Sequence, residues 1–170
     1  MSHLFEVFVI ALVLALSFRR AVFLLASLGA ARSLPLPQAL PRVTVLVPAW
    51  NEGAFAERLL QAFAQLSYPM DKCSFVLVCD GCTDATPVLF RSWADQRGDA
   101  VVVELPEHAG KAAALNAGLR MAQADIVVVL DADLRPAPEF VSELVRPFAD
   151  GKVGAAAAFW LWRRAHRAGF

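Results

Sequence analysis

Val127-Val128-Val129-Leu130-Asp131-Ala132-Asp133 is an apolar run that stops abruptly at two carboxylates, one residue apart. A run of β-branched residues bounded by polar ones reads as a buried strand. The pair of aspartates then sits at the strand's carboxyl end, where open α/β sheets bind ligands. Two carboxylates this close repel each other unless a cation or a proton compensates. A hard divalent ion with oxygen ligands, shared with phosphates, is the natural compensation. The stretch is therefore read as a metal–diphosphate site. The competing reading is a turn that merely caps the next helix.

Working outward, the same strand–loop–helix pattern recurs upstream. The spacing predicts strands over 43–47, 75–79, 100–104 and 126–130. Helices are predicted over 54–66, 86–97, 111–122 and 138–148, with Thr86 as N-cap and Pro87 at the first helical position. Four strands alternating with four helices argue an α/β fold with a mostly parallel sheet and right-handed crossovers. Phe55, Phe63, Phe90 and Trp93 have the helical positions of core residues. No internal repeat is evident.

Composition narrows the function. The chain has 170 residues, with 16 basic and 16 acidic side chains and a formal net charge of zero. No broad electrostatic surface is available for nucleic acid, which is excluded as a partner. Hydrophobic residues make up 58%, above the usual ~45–50%, and much of the excess lies in residues 4–31. The three cysteines, Cys73, Cys79 and Cys82, form no disulfide framework and are expected to be reduced.

Residues 4–18 are apolar except for Glu6 and Ser17, and a second apolar run over 21–31 follows Arg19 and Arg20. A spanning helix needs ~20 apolar residues. The first run approaches this if the arginines snorkel to the interface, and the second could lie along the surface. Residues 1–32 are therefore expected to form a membrane anchor, in preference to a signal peptide or a soluble core helix. Arg19, Arg20, Arg32 and Arg42 all follow the first run, so the positive-inside rule places the next domain in the cytoplasm. Residues 33–41, with Pro35, Pro37 and Pro41, read as a stiff linker.

In a parallel sheet the loops leaving the carboxyl ends of the strands gather at one edge. Here they carry Glu52, Asp80, Asp84, Lys111, Asp131 and Asp133, which are expected to meet in one cleft. One lysine among carboxylates suits a phosphate-bearing ligand with its metal. Gly110 allows close backbone approach, and the helix start after it can face an anion.

These loops resemble the motifs of the family 2 glycosyltransferases. Val47-Pro48-Ala49-Trp50-Asn51-Glu52 resembles their opening, and Asp80-Gly81-Cys82-Thr83-Asp84 their Asp-x-Ser/Cys-Thr-Asp loop. Gly110-Lys111-Ala112-Ala113-Ala114-Leu115-Asn116-Ala117-Gly118 resembles their Gly-Lys-x-x-Ala-Leu-Asn-x-Gly segment, and Asp131-Ala132-Asp133 their Asp-x-Asp. All four stand in family order at family spacing. The resemblance implies a GT-A, nucleotide-diphospho-sugar transferase type of domain over 42–152. By the same resemblance, Pro48, Ala49 and Glu52 hold the nucleoside and Asp80 contacts the base. Lys111 lies by the base or diphosphate, Asp131 by the ribose or sugar, and Asp133, with Asp131, binds Mg²⁺ or Mn²⁺. The implied activity is transfer of a sugar, with a UDP-sugar as the expected donor, to a polysaccharide or lipid acceptor. The implied place is the inner cell membrane.

The sequence departs from the family pattern at two points. Cys79 stands where many members carry the first Asp of an Asp-Asp pair. The acceptor half of the family sheet, with its acidic general base, has no counterpart after Asp150, and residues 153–170 read as a truncated tail. Deprotonating an acceptor hydroxyl needs a base, and no residue here is assigned to it, so the chain reads as the donor half of an enzyme. Two other readings compete: an inactive fragment that binds a nucleotide sugar, and a thioredoxin-like redox protein built on Cys79-Asp80-Gly81-Cys82. His108 is read as an exposed loop residue, and Asp84 as a turn and capping residue.

Overall fold

The computed structural model describes residues 2–28 and 34–157. Most of the expected truncated tail, residues 158–170, lies outside them. The chain divides into two compact units, one on each side of the boundary between Leu34 and Pro35.

The first unit is one continuous helix, α1 (Ser2–Leu28), rather than two separate runs. Phe5, Phe8, Ile10, Leu14, Phe18 and Phe23 are all exposed, so its surface is apolar. Among the described residues, no helix is long and apolar enough to cross a membrane. The charges are the reason. Between Glu6 and Arg19 the uncharged stretch runs only over 7–18, about 18 Å of helix against a hydrocarbon core of ~30 Å. The expected membrane helix is thus not shown.

The second unit is the predicted α/β domain. Its strands are β1 (Val43–Ala49), β2 (Cys73–Asp80), β3 (Ala100–Leu105) and β4 (Ile126–Val129). They form one wholly parallel sheet in the order β3-β2-β1-β4. β1 and β2 lie at its centre and are buried along nearly all their length. This is why they read as continuous apolar runs rather than alternating ones.

Helices cover both faces. On one, α2 (Gly53–Phe63), α3 (Thr86–Ala94) and α5 (Phe140–Val145) contribute Leu59, Phe63, Phe90, Val141 and Val145 to the larger core. On the other, α4 (Lys111–Leu119) packs Ala114 against Leu46, Val76 and Val78. There the helix runs so close to the sheet that a Cβ on Gly118 would stand 2.2 Å from Leu46 Cδ1.

Each helix ends earlier than its apolar periodicity predicts, because local chemistry stops it. After α3, the Arg97 guanidinium forks onto Asp99 at 2.8 and 2.7 Å and stacks over Trp93, 4.6 Å from its ring centroid. After α5, Pro147 has no N–H to give, and the chain tightens into a 3₁₀ turn over Arg146–Ala149. Phe63 and Phe90 are fully buried and Trp93 packs against them, as expected. Phe55 is not core: it is 38% exposed, with the Arg58 guanidinium over its ring. The end of the proline-rich stretch is held to the domain, because Tyr68 donates to the Pro41 carbonyl at 2.6 Å and Lys72 to that of Leu40 at 2.9 Å.

Candidate functional site

All four strands finish on the same edge, since all run parallel. The strand order adds what the alternation alone did not specify. The chain lays β2 and β3 to one side of β1 and β4 to the other, so it reverses direction between β1 and β4. Loops at such a point splay apart and leave a crevice. A cavity of about 310 Å³ opens there, lined by Pro48 and Ala49 at the end of β1, Trp50 and Glu52 just after it, Asp80 at the end of β2, and His108 and Lys111 beyond β3. Asp131, Ala132 and Asp133 line it after β4. Pro48, Ala49, Glu52, Asp80, Lys111, Asp131 and Asp133 all line this cavity, whereas Asp84, also expected in the cleft, does not. A larger hollow of about 770 Å³ runs along the free side of β4 and shares only Lys111 and Asp131 with it. Its lining is mainly apolar. The convergent polar groups mark the smaller cavity as the candidate site.

The turn after β1 is braced by the loop after β2. Asn51 takes a left-handed conformation, φ 56°, which asparagine tolerates. Its Oδ1 accepts the Thr83 N–H at 2.8 Å. Thr86 does not cap its own helix; its buried hydroxyl accepts the Glu52 N–H at 2.9 Å. Asp84 takes over that work, and its two oxygens accept the N–H groups of Thr86 (2.9 Å) and Gly53 (2.8 Å). One carboxylate thus ties the starts of α2 and α3 together. Burial pushes the Asp84 carboxyl up, but the hydrogen bonds from Thr86 and Gly53 more than offset this and hold it below the usual range. Asp84→Ala is expected to cost about 1 kcal/mol, the loss of a helix cap, with nucleotide affinity unchanged. Urea titrations check the first part and calorimetry the second. Because the folded value is depressed, the ionised carboxylate's stabilisation is complete above the unfolded value of about 4. It is lost as pH falls through the folded value, so the wild type and Asp84→Asn should converge in acid.

Asp80 is 2% exposed and engages the loop after β3. Its Oδ1 accepts the Ala109 N–H at 2.8 Å, and its Oδ2 accepts the Gly110 N–H at 2.9 Å. His108 Nδ1 lies 2.9 Å from the same Oδ2. The backbone groups at the approach to α4 are therefore spent on a protein carboxylate rather than left open for an anion. Gly110 is needed for its backbone, φ 90°, and not for crowding, since a Cβ there would meet nothing within 4 Å. His108 is the exposed loop residue expected, and its ring also stacks on Trp50, centroids 4.2 Å apart and planes at 24°. Sequence reasoning placed His108 as an exposed loop residue and missed its pairing with Trp50. The signal available was a large aromatic in the polar turn directly after β1.

Ala132 is buried in the core while Asp131 and Asp133 on either side of it are exposed. This alternation turns both carboxylates outward. Lys111 Nζ meets Asp131 Oδ1 at 2.5 Å. Glu52 faces the same group: burial, then the charges of Asp133, Asp84 and Asp131, push its carboxyl above the ordinary range. Carboxylates that raise the cost of ionising Glu52 in this way favour a nearby cation. Among the described residues, no three His, Cys, Asp or Glu side chains gather closely enough to hold a metal alone. The donor set, all carboxylate oxygen, nevertheless fits Mg²⁺ or Mn²⁺. Such ions take one or two protein carboxylates and complete their shell with phosphates and water.

The cysteines give the redox reading no support. Burial first, then the neighbouring Cys82, push the Cys79 thiol up to about 12, and burial pushes Cys73 up to about 11. A reactive thiol needs the opposite shift. Cys82 has a packing role, with Sγ 3.3 Å from the Ala49 carbonyl and 3.4 Å from the Asn51 N–H.

Comparison with known proteins follows this geometry. The sequence model of the family described as Glycosyl transferase family 2 matches residues 44–167. The dodecaprenyl-phosphate galacturonate synthase of Rhizobium johnstonii is 35% identical over 136 residues, covering 75% of this chain and 37% of that protein. The mannosyltransferase PcManGT from Pyrobaculum calidifontis, solved in complex with GDP-Man and Mn²⁺, superposes with a TM-score of 0.69 at 38% identity, over 79% of this chain and 41% of that one. Glucosyl-3-phosphoglycerate synthase from Mycobacterium tuberculosis was solved with Mn²⁺, UDP and glucosyl-3-phosphoglycerate. It superposes with a TM-score of 0.53 at 29% identity, over 66% of this chain and 41% of that one. The chain spans about a third of the length of the curated relatives it matches.

Proposed function

Because this chain belongs to glycosyl transferase family 2, we propose that its cavity binds a nucleoside-diphospho-sugar together with a divalent ion. The observation that carries this reading is the meeting of Glu52, Lys111, Asp131 and Asp133 in one cavity at the sheet's switch point. Asp131 and Asp133 would hold Mg²⁺ or Mn²⁺. The chemistry that a bound ion supplies is the uptake of charge developing on the departing nucleoside diphosphate. Lys111 is the cation nearest to that charge, and Pro48, Ala49, Glu52 and Asp80 frame the nucleoside. The donor is a UDP-sugar in this reading. The complexes of related proteins include both GDP-Man and UDP, so both nucleotides belong in the test.

The acceptor proposed is a polysaccharide or a lipid at the inner cell membrane, with the catalytic domain on the cytoplasmic side. Two things support this: the exposed apolar surface of α1, and a relative named for a polyprenyl phosphate. In the same reading residues 1–32 are the anchor, 33–41 the linker and 42–152 the donor-binding part.

Calorimetric titration of the folded protein with UDP, and separately with GDP, tests the proposal. Binding is expected with Mn²⁺ present and is expected to be lost with a chelator. Equal heats with and without the metal would remove the metal–diphosphate reading.

A further inference from the structure

We infer that His108 is a positioning residue for the nucleobase, acting through the ring of Trp50; this rests on the donor reading above. The cavity lining divides by chemistry. Trp50 and His108 supply stacked flat rings, while Lys111, Asp131 and Asp133 supply charge. A nucleoside diphosphate divides the same way, into a flat ring and a charged tail. Rings of this kind hold any base through its π-face.

His108 fits the role better than an ordinary loop residue because it is held at two points. Its Nδ1 lies 2.9 Å from Oδ2 of Asp80, a carboxylate almost wholly removed from solvent. The same carboxylate takes the N–H groups of the next two residues, Ala109 and Gly110. Three successive residues are therefore pinned to one buried group. Donation from Nδ1 to this carboxylate fixes the orientation of the imidazole ring. The ring plane is then set against Trp50, whose own side chain is half exposed. Without His108, Trp50 would have no ring at its back and would sample several rotamers before a base arrived. That lost preorganisation weakens binding.

The test compares UDP and GDP with inorganic pyrophosphate, all titrated with Mn²⁺ present. His108→Ala is expected to weaken nucleotide binding about tenfold, the scale of one base-stacking contact, and to leave pyrophosphate binding within about twofold. His108→Phe keeps a ring against Trp50 and is expected to recover more of the affinity than His108→Asn, which keeps only a donor for Asp80. Unchanged nucleotide affinity in His108→Ala would overturn the inference. So would an equal loss of pyrophosphate binding, which would mark His108 as a scaffold for the whole loop. A folded wild type that binds neither nucleotide would overturn the donor reading itself, and this inference with it.

Discussion

Gly81→Ala is expected to cost about 3 kcal/mol and to abolish nucleotide binding at the same time. Gly81 follows β2 with φ 61°, a conformation that costs a residue with a Cβ ~1–2 kcal/mol. Strain is the smaller part of the cost. A Cβ built there would stand 2.2 Å from the His108 nitrogen and 2.3 Å from the Glu107 carbonyl carbon. Both are backbone atoms, which cannot swing aside as a side-chain tip would. Overpacking of this kind adds ~1–3 kcal/mol. The only relief is to lift residues 107–108, which draws His108 away from Asp80 and Trp50. Urea denaturation should show the loss of stability as a lower midpoint. A variant with wild-type midpoint and wild-type UDP affinity would show that the loop after β3 does not rest on Gly81.

Asp133→Ala is expected to separate binding from stability in the opposite way. Metal-dependent affinity for UDP should fall by about a hundredfold, the upper end of what supporting residues of metal sites contribute. Folding stability should hold or rise slightly. The reason lies in Glu52, whose carboxyl is pushed up by burial first and by Asp133 next. A raised folded value means that ionising Glu52 works against the fold. That penalty is absent below the unfolded value and complete above the folded one, so it operates at neutral pH. Removing Asp133 lightens it. Paired calorimetric and urea titrations check the two halves. A loss of stability like that of Asp84→Ala, with affinity unchanged, would reverse the roles given to these two aspartates.

The sequence carried the fold class because parallel strands buried on both faces leave continuous apolar runs; 43–47 and 75–79 are such runs, and 126–130 is equally apolar although β4 is only partly buried. It carried the ionic part of the site because Asp131, Asp133, Lys111 and Glu52 stand directly after strands, where topology collects them. Strand order was not legible. It depends on which runs pair across distant parts of the chain, and nothing local in β4 says that it lies beside β1. The partnership of Trp50 and His108 was hidden for the same reason, since 58 positions separate them in the chain. Asp80 read as a ligand contact, and its second task, accepting from the backbone of residues 109–110, was not legible. A carboxylate at a strand end looks alike in sequence whether it faces a ligand or a neighbouring loop. Helix ends were misplaced where a single group, such as the Arg97–Asp99 fork or Pro147, cuts across an apolar period.

The order β3-β2-β1-β4 also makes the two walls of the cavity unequal in resistance to local opening. The Pro48–Glu52 wall grows from a strand paired on both sides, whereas the Asp131–Asp133 wall grows from a four-residue strand paired, among the described residues, on one side. Spontaneous opening on the carboxylate side therefore breaks fewer hydrogen bonds than on the other. A ligand that touches both walls would couple them, lending the carboxylate wall some of the protection of the sheet's interior. Its binding strength would then depend partly on work done in quieting a margin of the protein, beyond the contacts that it makes.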